Sequence, residues 1–156
     1  MFREVVRHKQ ALSCDECVRL LTELPRGVLS VITEDGYPYA FPINQYYRDG
    51  CLYFHSGPSG HKIDCMKACD KASFCAYDNG FRKPGEWALN ISSVICFGRL
   101  DVVEDHDEAL ELSRLLSLKF TSDTDYIDRE IARSGQKVLV FRLKIEHMTG
   151  KLVNEA

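Results

Sequence analysis

Two Asp-Gly turns constrain the fold of this chain more than any other feature. Asp35-Gly36 and Asp49-Gly50 each lie between two runs rich in apolar and β-branched residues. Asp-Gly is common in tight hairpin turns because both residues tolerate positive φ angles, and such turns join neighbouring antiparallel strands. Runs 71–78, 91–104 and 136–148 then alternate apolar and polar residues over much of their length. The pattern predicts a mainly β protein with an antiparallel barrel, and it disfavours a doubly wound parallel sheet.

The sequence predicts one domain over residues 1–156, with residues 1–12 as an N-terminal extension. Ser13 and Glu16 have the spacing of a capping box, so a helix is expected over 14–24, ending at Pro25. Further helices are predicted over 61–69, 106–120 and 126–133, and six strands over 27–33, 37–47, 51–55, 71–78, 91–104 and 136–148. The expected buried face of the 106–120 helix carries Leu110, Leu112, Leu115, Leu116 and Phe120.

Proline and glycine mark two irregular strands. Pro38 and Pro42 cannot donate to a ladder, so run 37–47 is predicted to be an edge strand or to be bulged. The backbone of Pro42, Ile43 and Asn44 would then be free to meet a ligand, although a plain edge strand has the same pattern. Gly98, in the middle of run 91–104, predicts a bulge, a bend or a close backbone contact.

Composition and charge disfavour several classes of function. The chain has 156 residues, 28% charged and 45% hydrophobic, with a net charge of −3. A nucleic-acid or anionic-membrane binder would be expected to carry a basic face, so neither is predicted. No apolar run approaches the roughly 20 residues of a membrane span. The charged N-terminus does not resemble a signal peptide, so a cytoplasmic location is expected.

Seven cysteines are an unusual number for such a chain. Cys14 and Cys17 form a C-x-x-C pair, and Cys65 and Cys69 are four residues apart on a predicted helix. A zinc site or a redox dithiol is one interpretation, and reduced cysteines packed in the core are the other. The core interpretation is favoured, and no metal site is predicted.

The segment from His55 to Lys62 predicts an anion site. A predicted strand ends at His55, a Gly- and Ser-rich loop follows, and His61 and Lys62 open a helix. Cations are unfavourable at the positive end of a helix dipole unless an anion lies among them. Free N–H groups after such a loop would bind the same anion. The two interpretations are a phosphate site and an ordinary connection with solvated bases.

The order of these motifs resembles one family over residues 12–151. The segments that carry the resemblance are GVLSVITEDGYPYAFPINQYY, DGCLYFHSGPSGHKID, SVICFGRLDVVED and KIEHMTGK. They are similar to the pyridoxamine 5′-phosphate oxidase-like FMN-binding split barrels, and most similar to the 5-nitroimidazole-resistance (nitroimidazole reductase) group. The resemblance implies an antiparallel six-stranded split β-barrel of Greek-key type.

The resemblance also implies a homodimer with FMN at the interface. His61 and Lys62 match the basic pair at the FMN phosphate, and His55 matches a strand-end position near it. The implied cofactor-binding residues are Pro42, Ile43, Asn44, Phe54, His55, Gly60, His61, Lys62, Ser93 and Val94. Pro42, Ile43 and Asn44 match the segment whose backbone meets the isoalloxazine ring. Ser93 and Val94 match a strand start that meets the cofactor, in the family from the other subunit.

The resemblance implies a flavin-dependent oxidoreductase that uses a small electron donor and acceptor. The C-terminal Arg and Trp of the oxidase itself have no match in this chain, which disfavours pyridoxamine phosphate as the substrate. A nitroaromatic acceptor such as a 5-nitroimidazole is expected, and the alternative is a non-enzymatic flavin- or haem-binding storage module. No catalytic side chain is assigned. Tyr46, Tyr77 and Trp87 are candidates for stacking a substrate or for packing.

Overall fold

The computed structural model describes residues 2–155, apart from the side chain of Gln136. Seven strands are present in these residues: β1 (Gly27–Ile32), β2 (Pro38–Ile43), β3 (Tyr46–Arg48), β4 (Cys51–Ser56), β5 (Lys71–Tyr77), β6 (Asn90–Val102) and β7 (Leu139–Asn154). The described helices are α1 (Cys14–Glu23), α2 (His61–Ala68), α3 (His106–Leu118) and α4 (Thr124–Ser134). Short 3₁₀ turns cover His8–Gln10 and Gly135–Lys137.

The strands form one antiparallel sheet in the order β2-β1-β5-β6-β7-β4-β3. In a flat sheet the edge strands β2 and β3 would lie about 29 Å apart, at about 4.8 Å per strand. Only Asn44 and Gln45 join the two strands, and the three peptide units between Ile43 and Tyr46 span at most about 11 Å. The sheet must therefore curl until its edges meet, which confirms the predicted antiparallel barrel.

The predicted strand over 37–47 is wrong in one respect, because it is divided into β2 and β3. The division gives seven strands where six were predicted. The side chain of Gln45 is completely buried and donates to backbone carbonyls of α1, so the chain leaves the ladder at this point. The expected edge position is confirmed, since β2 pairs only with β1 within the described sheet.

The barrel interior is filled by aromatic and branched side chains. Phe54 lies with its ring centroid 5.2 Å from that of Phe141 and 5.7 Å from that of Phe74. All three rings are almost completely buried. Helix α1 packs Leu20 and Leu21 against this cluster. The Ser13–Glu16 capping box is formed as predicted, with the Glu16 carboxylate accepting from the N–H of Ser13 at 2.7 Å.

Helix α3 packs against the outside of β4 and β7 and buries a second cluster. This cluster contains Tyr53, Val103, Ala109, Leu112 and Val140. Val140 belongs to the face of β7 that alternation predicts to be wet, and it is buried because α3 covers it. The predicted buried face of α3 is partly wrong: Leu112 and Leu116 are buried, whereas Phe120 lies beyond the helix end and is 44% exposed.

The bulge at Gly98 is confirmed. The register between β6 and β7 shifts between Phe97 and Gly98. A Cβ atom on Gly98 would collide with the carbonyl oxygen of Lys144 on β7, so the close approach of the two strands requires glycine here. The final strand also continues past the predicted end at Met148 to Asn154 and pairs with the first half of β6.

The N-terminal extension packs on the barrel surface. The N–H of Leu12 donates to the carbonyl of Gly150 at 3.0 Å, and Ala11 forms a bridge to Lys151. The ring of Phe2 stacks on Phe97 at a centroid distance of 5.4 Å and on His147 at 5.1 Å. Among the described helices, none is both long and apolar enough to span a membrane.

Candidate functional site

The amino end of α2 presents unpaired backbone donors. Gly60 caps the helix with a φ of 119°, a conformation that glycine adopts at low cost, and offers no side-chain acceptor. In contrast, Ser13, Asp105 and Asp123 each accept a backbone N–H at the start of their own helices. Over residues 2–155, the backbone N–H groups of positions 59–62 have no hydrogen-bond acceptor in the protein. This end of the helix is suited to binding an anion.

Lys62 is at this helix end, and its charge acts on His55 near the end of β4. The positive charge of Lys62 is close enough to affect His55: burial of the ring first, and then that charge, hold the pKa of His55 below its ordinary value. The imidazole of His55 is therefore neutral at pH 7 and above. The ammonium group of Lys62 lies 5.7 Å from the centroid of the Phe41 ring. The local positive charge is thus carried by Lys62 and by the backbone donors.

His61 has contacts of its own, with Tyr39 and Cys65. Its ring lies 4.8 Å from the ring of Tyr39, and its Nε2 is 3.7 Å from Sγ of Cys65. It lines a surface groove with Thr33, Glu34, Asp35, Tyr37, Asp64 and Cys65. The structure therefore places His61 beside the acidic β1–β2 hairpin. A phosphate contact from His61 stays a prediction that would require its ring to turn.

The segment Pro42–Asn44 ends the edge strand β2. Because β2 pairs only with β1, the other edge of its backbone has no strand partner in the described sheet. A groove of about 330 Å³ lies beside Pro42. The residues that line it are Leu24, Pro25, Arg26, Gly27, Val28, Pro42, Ala76, Tyr77, Asp78 and Asn79. This backbone edge therefore has no strand partner in the described sheet, which is also true of a plain edge strand, and its contact with a ligand stays a prediction.

Three other predicted site residues differ in what they can offer. The side chains of Phe54 and Val94 are buried in the core, because strand alternation directs them to the inside of the barrel. Only their backbone groups could contribute to a site. Ser93 is on the outer side of β6, half-buried, and lies opposite Tyr77 of β5 and Lys151 of β7.

An apolar surface covers the outside of the strands β1, β5 and β6. Its members are Val28, Ile32, Cys75, Tyr77, Ile95 and Phe97, and we refer to it as the outer apolar face. The strand register places these side chains together: Cys75 lies opposite both Val28 and Ile95. Ile95 and Phe97 are 40% and 38% exposed, respectively. Trp87, on the loop after β5, is 74% exposed, so it does not pack against the core in the single chain.

Three of the seven cysteines, Cys17, Cys65 and Cys96, are buried in the core. The described residues contain no group of three or more His, Cys, Asp or Glu side chains that could hold a metal ion. Cys14 is exposed, whereas Cys17, its C-x-x-C partner, is buried in the core. Burial raises the pKa of the Cys17 thiol, and it raises the pKa of Cys96 to about 12. Neutral thiols of this kind are poor nucleophiles and poor metal ligands.

Two polar residues near the site had no recognised sequence pattern. Gln45 and Lys119 meet at the end of α1, where the ammonium group of Lys119 donates to the carbonyl of Gln45 at 2.8 Å. A polar residue inside an apolar strand pattern was the signal available for Gln45. Lys119 ends an amphipathic helix, where a lysine is ordinarily solvated, so no pattern in the sequence distinguishes it.

Comparison with known proteins places the chain in a family. The family model of pyridoxamine 5′-phosphate oxidase matches residues 13–152. A structure of a Bacteroides thetaiotaomicron protein assigned to 5-nitroimidazole antibiotic resistance aligns with a TM-score of 0.78 and 20% identity, covering 92% of this chain and 87% of that chain. No curated protein sequence matches the chain.

Two further solved structures have the same fold. An FAD-binding protein of Mesorhizobium loti aligns with a TM-score of 0.67 and 25% identity, covering 92% of this chain and 97% of that one. An FAD- and haem-binding protein of Mycobacterium smegmatis aligns with a TM-score of 0.73 and 20% identity, covering 95% and 74%. The split-barrel fold expected from the sequence is thereby confirmed. Because the family match extends over nearly the whole chain, this protein belongs to the pyridoxamine 5′-phosphate oxidase family.

Proposed function

We propose that this protein binds FMN and acts as an FMN-dependent oxidoreductase. One observation carries the proposal: the ammonium group of Lys62 lies 5.7 Å from the ring of Phe41, the residue that directly precedes Pro42–Asn44. A helix end suited to a phosphate and a free strand edge suited to a planar ring are therefore neighbours. A flavin mononucleotide has a phosphate at one end and a planar ring at the other.

The residues present fit this cofactor. Four consecutive N–H groups without acceptors in the described chain, together with Lys62, match a terminal phosphate. One such loop with one lysine matches a single phosphate group, so we propose FMN rather than FAD. Two solved relatives of the same fold, from Mesorhizobium loti and Mycobacterium smegmatis, bind FAD, which supports a flavin as the ligand class.

The bound flavin would supply the electron transfer, and the protein would supply position and electrostatics. Lys62 and the loop would hold the phosphate, while the backbone of Pro42–Asn44 would orient the ring. Neutral His55 would sit beside the phosphate end without repelling Lys62. No side chain is required as a nucleophile in this scheme.

For the electron acceptor we propose a small nitroaromatic compound such as a 5-nitroimidazole. The support is the Bacteroides structure assigned to 5-nitroimidazole resistance, at 20% identity over 92% of this chain. A second candidate function, flavin and haem binding without turnover, is favoured by the Mycobacterium structure and by His55. His55 is accessible near the end of β4, while the surrounding protein desolvates the imidazole, and the neutral imidazole that results is the form that ligates iron.

We propose that the working form is a homodimer joined through the outer apolar face. Exposed strand faces on a barrel are ordinarily polar, whereas this one carries Ile95, Phe97 and Tyr77 side by side with Val28. Contiguous apolar surface of this kind marks an association site. The face borders the groove beside Pro42 through Val28 and Tyr77, so a second subunit would lie next to the proposed ring site.

The test is an absorption spectrum of the purified protein, followed by denaturation and identification of the released ligand. Oxidised-flavin bands with about one FMN per chain support the proposal, and steady-state reduction of a nitroimidazole by the donor-reduced protein supports the acceptor class. A haem Soret band with no turnover supports the second candidate function. A colourless protein that fails to bind added FMN contradicts both.

A further inference from the structure

The carboxyl end of α1 has carbonyl groups that its own helix cannot satisfy. The residue four positions after Leu21 is Pro25, which has no N–H to donate to the Leu21 carbonyl. The Nε2 group of Gln45 donates to this oxygen at 3.2 Å and to the Leu24 oxygen at 2.7 Å. A side chain from the β2–β3 link thus replaces the missing helical donors.

Lys119 binds the same helix end. Its ammonium group donates to the carbonyl of Leu24 at 3.0 Å and to the backbone carbonyl of Gln45 at 2.8 Å. A cation is favoured here, because the carboxyl end of a helix carries partial negative charge. Burial lowers the pKa of Lys119 to about 8, and the two carbonyl groups replace part of the water that the ammonium group has lost. Lys119 therefore joins α1, α3 and the β2–β3 link at one point.

The contacts of Gln45 are specific rather than interchangeable. Its side chain is completely buried, and its Oε1 atom has no partner among the described residues. A buried acceptor without a partner is unfavourable, so an apolar residue would ordinarily be better at this position. The amide therefore contributes through the two hydrogen bonds donated by its Nε2 group, which attach the Asn44-Gln45 link to the end of α1.

We propose that Gln45 and Lys119 form a latch that holds the Asn44-Gln45 link and thereby positions the backbone of Pro42–Asn44 for the flavin ring. The inference rests on the proposed function. Both are positioning residues, since they act through the link and reach the proposed ring site only by way of Asn44. The latch controls the ring end of the cofactor, whereas Lys62 controls the phosphate end.

This division can be measured with two ligands, FMN and riboflavin, which share the ring but differ in the phosphate. Lys119→Met is expected to raise the dissociation constants of FMN and riboflavin by the same factor, about tenfold, because the ring site is displaced. Lys62→Ala is expected to weaken the binding of FMN and to leave the binding of riboflavin unchanged. Lys119→Arg, which keeps the charge and the donors, should restore most of the affinity, and Lys9→Met, on an exposed N-terminal turn, is the matched control.

If Lys119→Met is too unstable to titrate, Gln45→Met provides a second test with the same expected result. Flavin dissociation constants within about twofold of the wild-type values in a folded latch variant would overturn the proposal, because loss of the buried hydrogen bonds of the latch should weaken binding by more than twofold. A loss confined to FMN would also overturn it, because the effect would then lie at the phosphate.

Amide hydrogen exchange of the flavin-free protein separates the latch from the proposed function. Exchange at residues 44–47 should be faster in Lys119→Met than in the wild type and in Lys9→Met. Unchanged exchange overturns the latch, whether or not the wild type binds flavin. Faster exchange with unchanged flavin affinities overturns the positioning role. A wild type that binds no flavin refutes the proposed function, and exchange then still decides whether Lys119 holds the link.

Discussion

Replacing Ile95 by glutamate should prevent the proposed dimer from forming. Ile95 lies opposite Cys75 on the outer apolar face and is 40% exposed in the single chain. Full burial of an isoleucine side chain contributes about 1.5–3 kcal/mol, so burying the remaining surface contributes about 1 kcal/mol per subunit. A two-fold interface contains the residue twice, which gives about 2 kcal/mol lost with the apolar contacts.

The introduced carboxylate adds a second cost of at least similar size. An unpaired charge in a dry interface costs several kcal/mol. Because water can reach part of the interface, we use a lower bound of about 1 kcal/mol per subunit. The sum is at least about 4 kcal/mol, which corresponds to a loss of about a thousandfold in the association constant. Sedimentation velocity over a range of micromolar concentrations measures the change, with circular dichroism to verify that the variant is folded.

Val102→Glu is the matched control for this experiment. Val102 lies on the same strand, β6, and is also 40% exposed, but it is near the far end of β6, beyond the Gly98 bulge, and outside the outer apolar face. The control variant should associate like the wild type. Two results would refute the reasoning: a wild type that is monomeric at these concentrations, or an Ile95→Glu variant that sediments like the wild type.

Three further predictions concern single residues. Lys62→Ala should weaken FMN binding by about 1.5–3 kcal/mol, the value of a charge-assisted hydrogen bond, in a fluorescence titration; unchanged flavin retention would place the phosphate site elsewhere. Gly98→Ala should lower the free energy of unfolding, measured in urea, by about 1–3 kcal/mol, because the new Cβ atom would collide with the backbone of β7. In the control Gly57→Ala the new Cβ atom meets nothing within 4 Å, so the free energy of unfolding should hardly change. Equal effects of the two substitutions would contradict the bulge argument. Burial raises the pKa of Asp101, but its pairing with Arg142, at 2.9 and 3.0 Å, and with a neighbouring lysine outweighs burial and holds that pKa below its ordinary value. The pairing therefore stabilises the fold above the ordinary carboxyl pKa, and this stabilisation is lost as the pH falls through the lowered pKa of Asp101. Asp101→Asn should lower the free energy of unfolding by about 0.5–1 kcal/mol near pH 7 and leave it unchanged in acid. A loss of stability that does not depend on pH would contradict this argument.

Local sequence was sufficient for much of the fold. The Asp49-Gly50 turn, with φ angles of 49° and 78°, and the Ser13–Glu16 capping box depend on residues within a few positions of one another. The alternation that buries Ala72, Phe74 and Ala76 depends only on the two-residue period of a strand. Because such patterns lie within short segments of the chain, the secondary-structure elements and the antiparallel fold class could be predicted from the sequence.

The candidate site was predictable only in part. The glycine-rich loop and Lys62 could be proposed as an anion site from the sequence because the start of a helix is a local arrangement. The direction of His61 could not be predicted, because its ring packs against Tyr39 and Cys65 and Tyr39 lies on strand β2, outside the helix that carries His61. Alternation identified Phe54 and Val94 as strand residues, but their burial restricts them to backbone contacts.

The sequence by itself determined the helices, the hairpins and the loop that presents backbone donors, because each results from interactions between near neighbours in the chain. Only the tertiary structure decided where the barrel closes. Gln45 leaves its strand to satisfy carbonyls 21 and 24 residues earlier, and Lys119 reaches the carbonyl of Leu24 across 95 residues. These donors and acceptors become partners only when the folded sheet brings its two edges together, so no pattern in a short segment can show them.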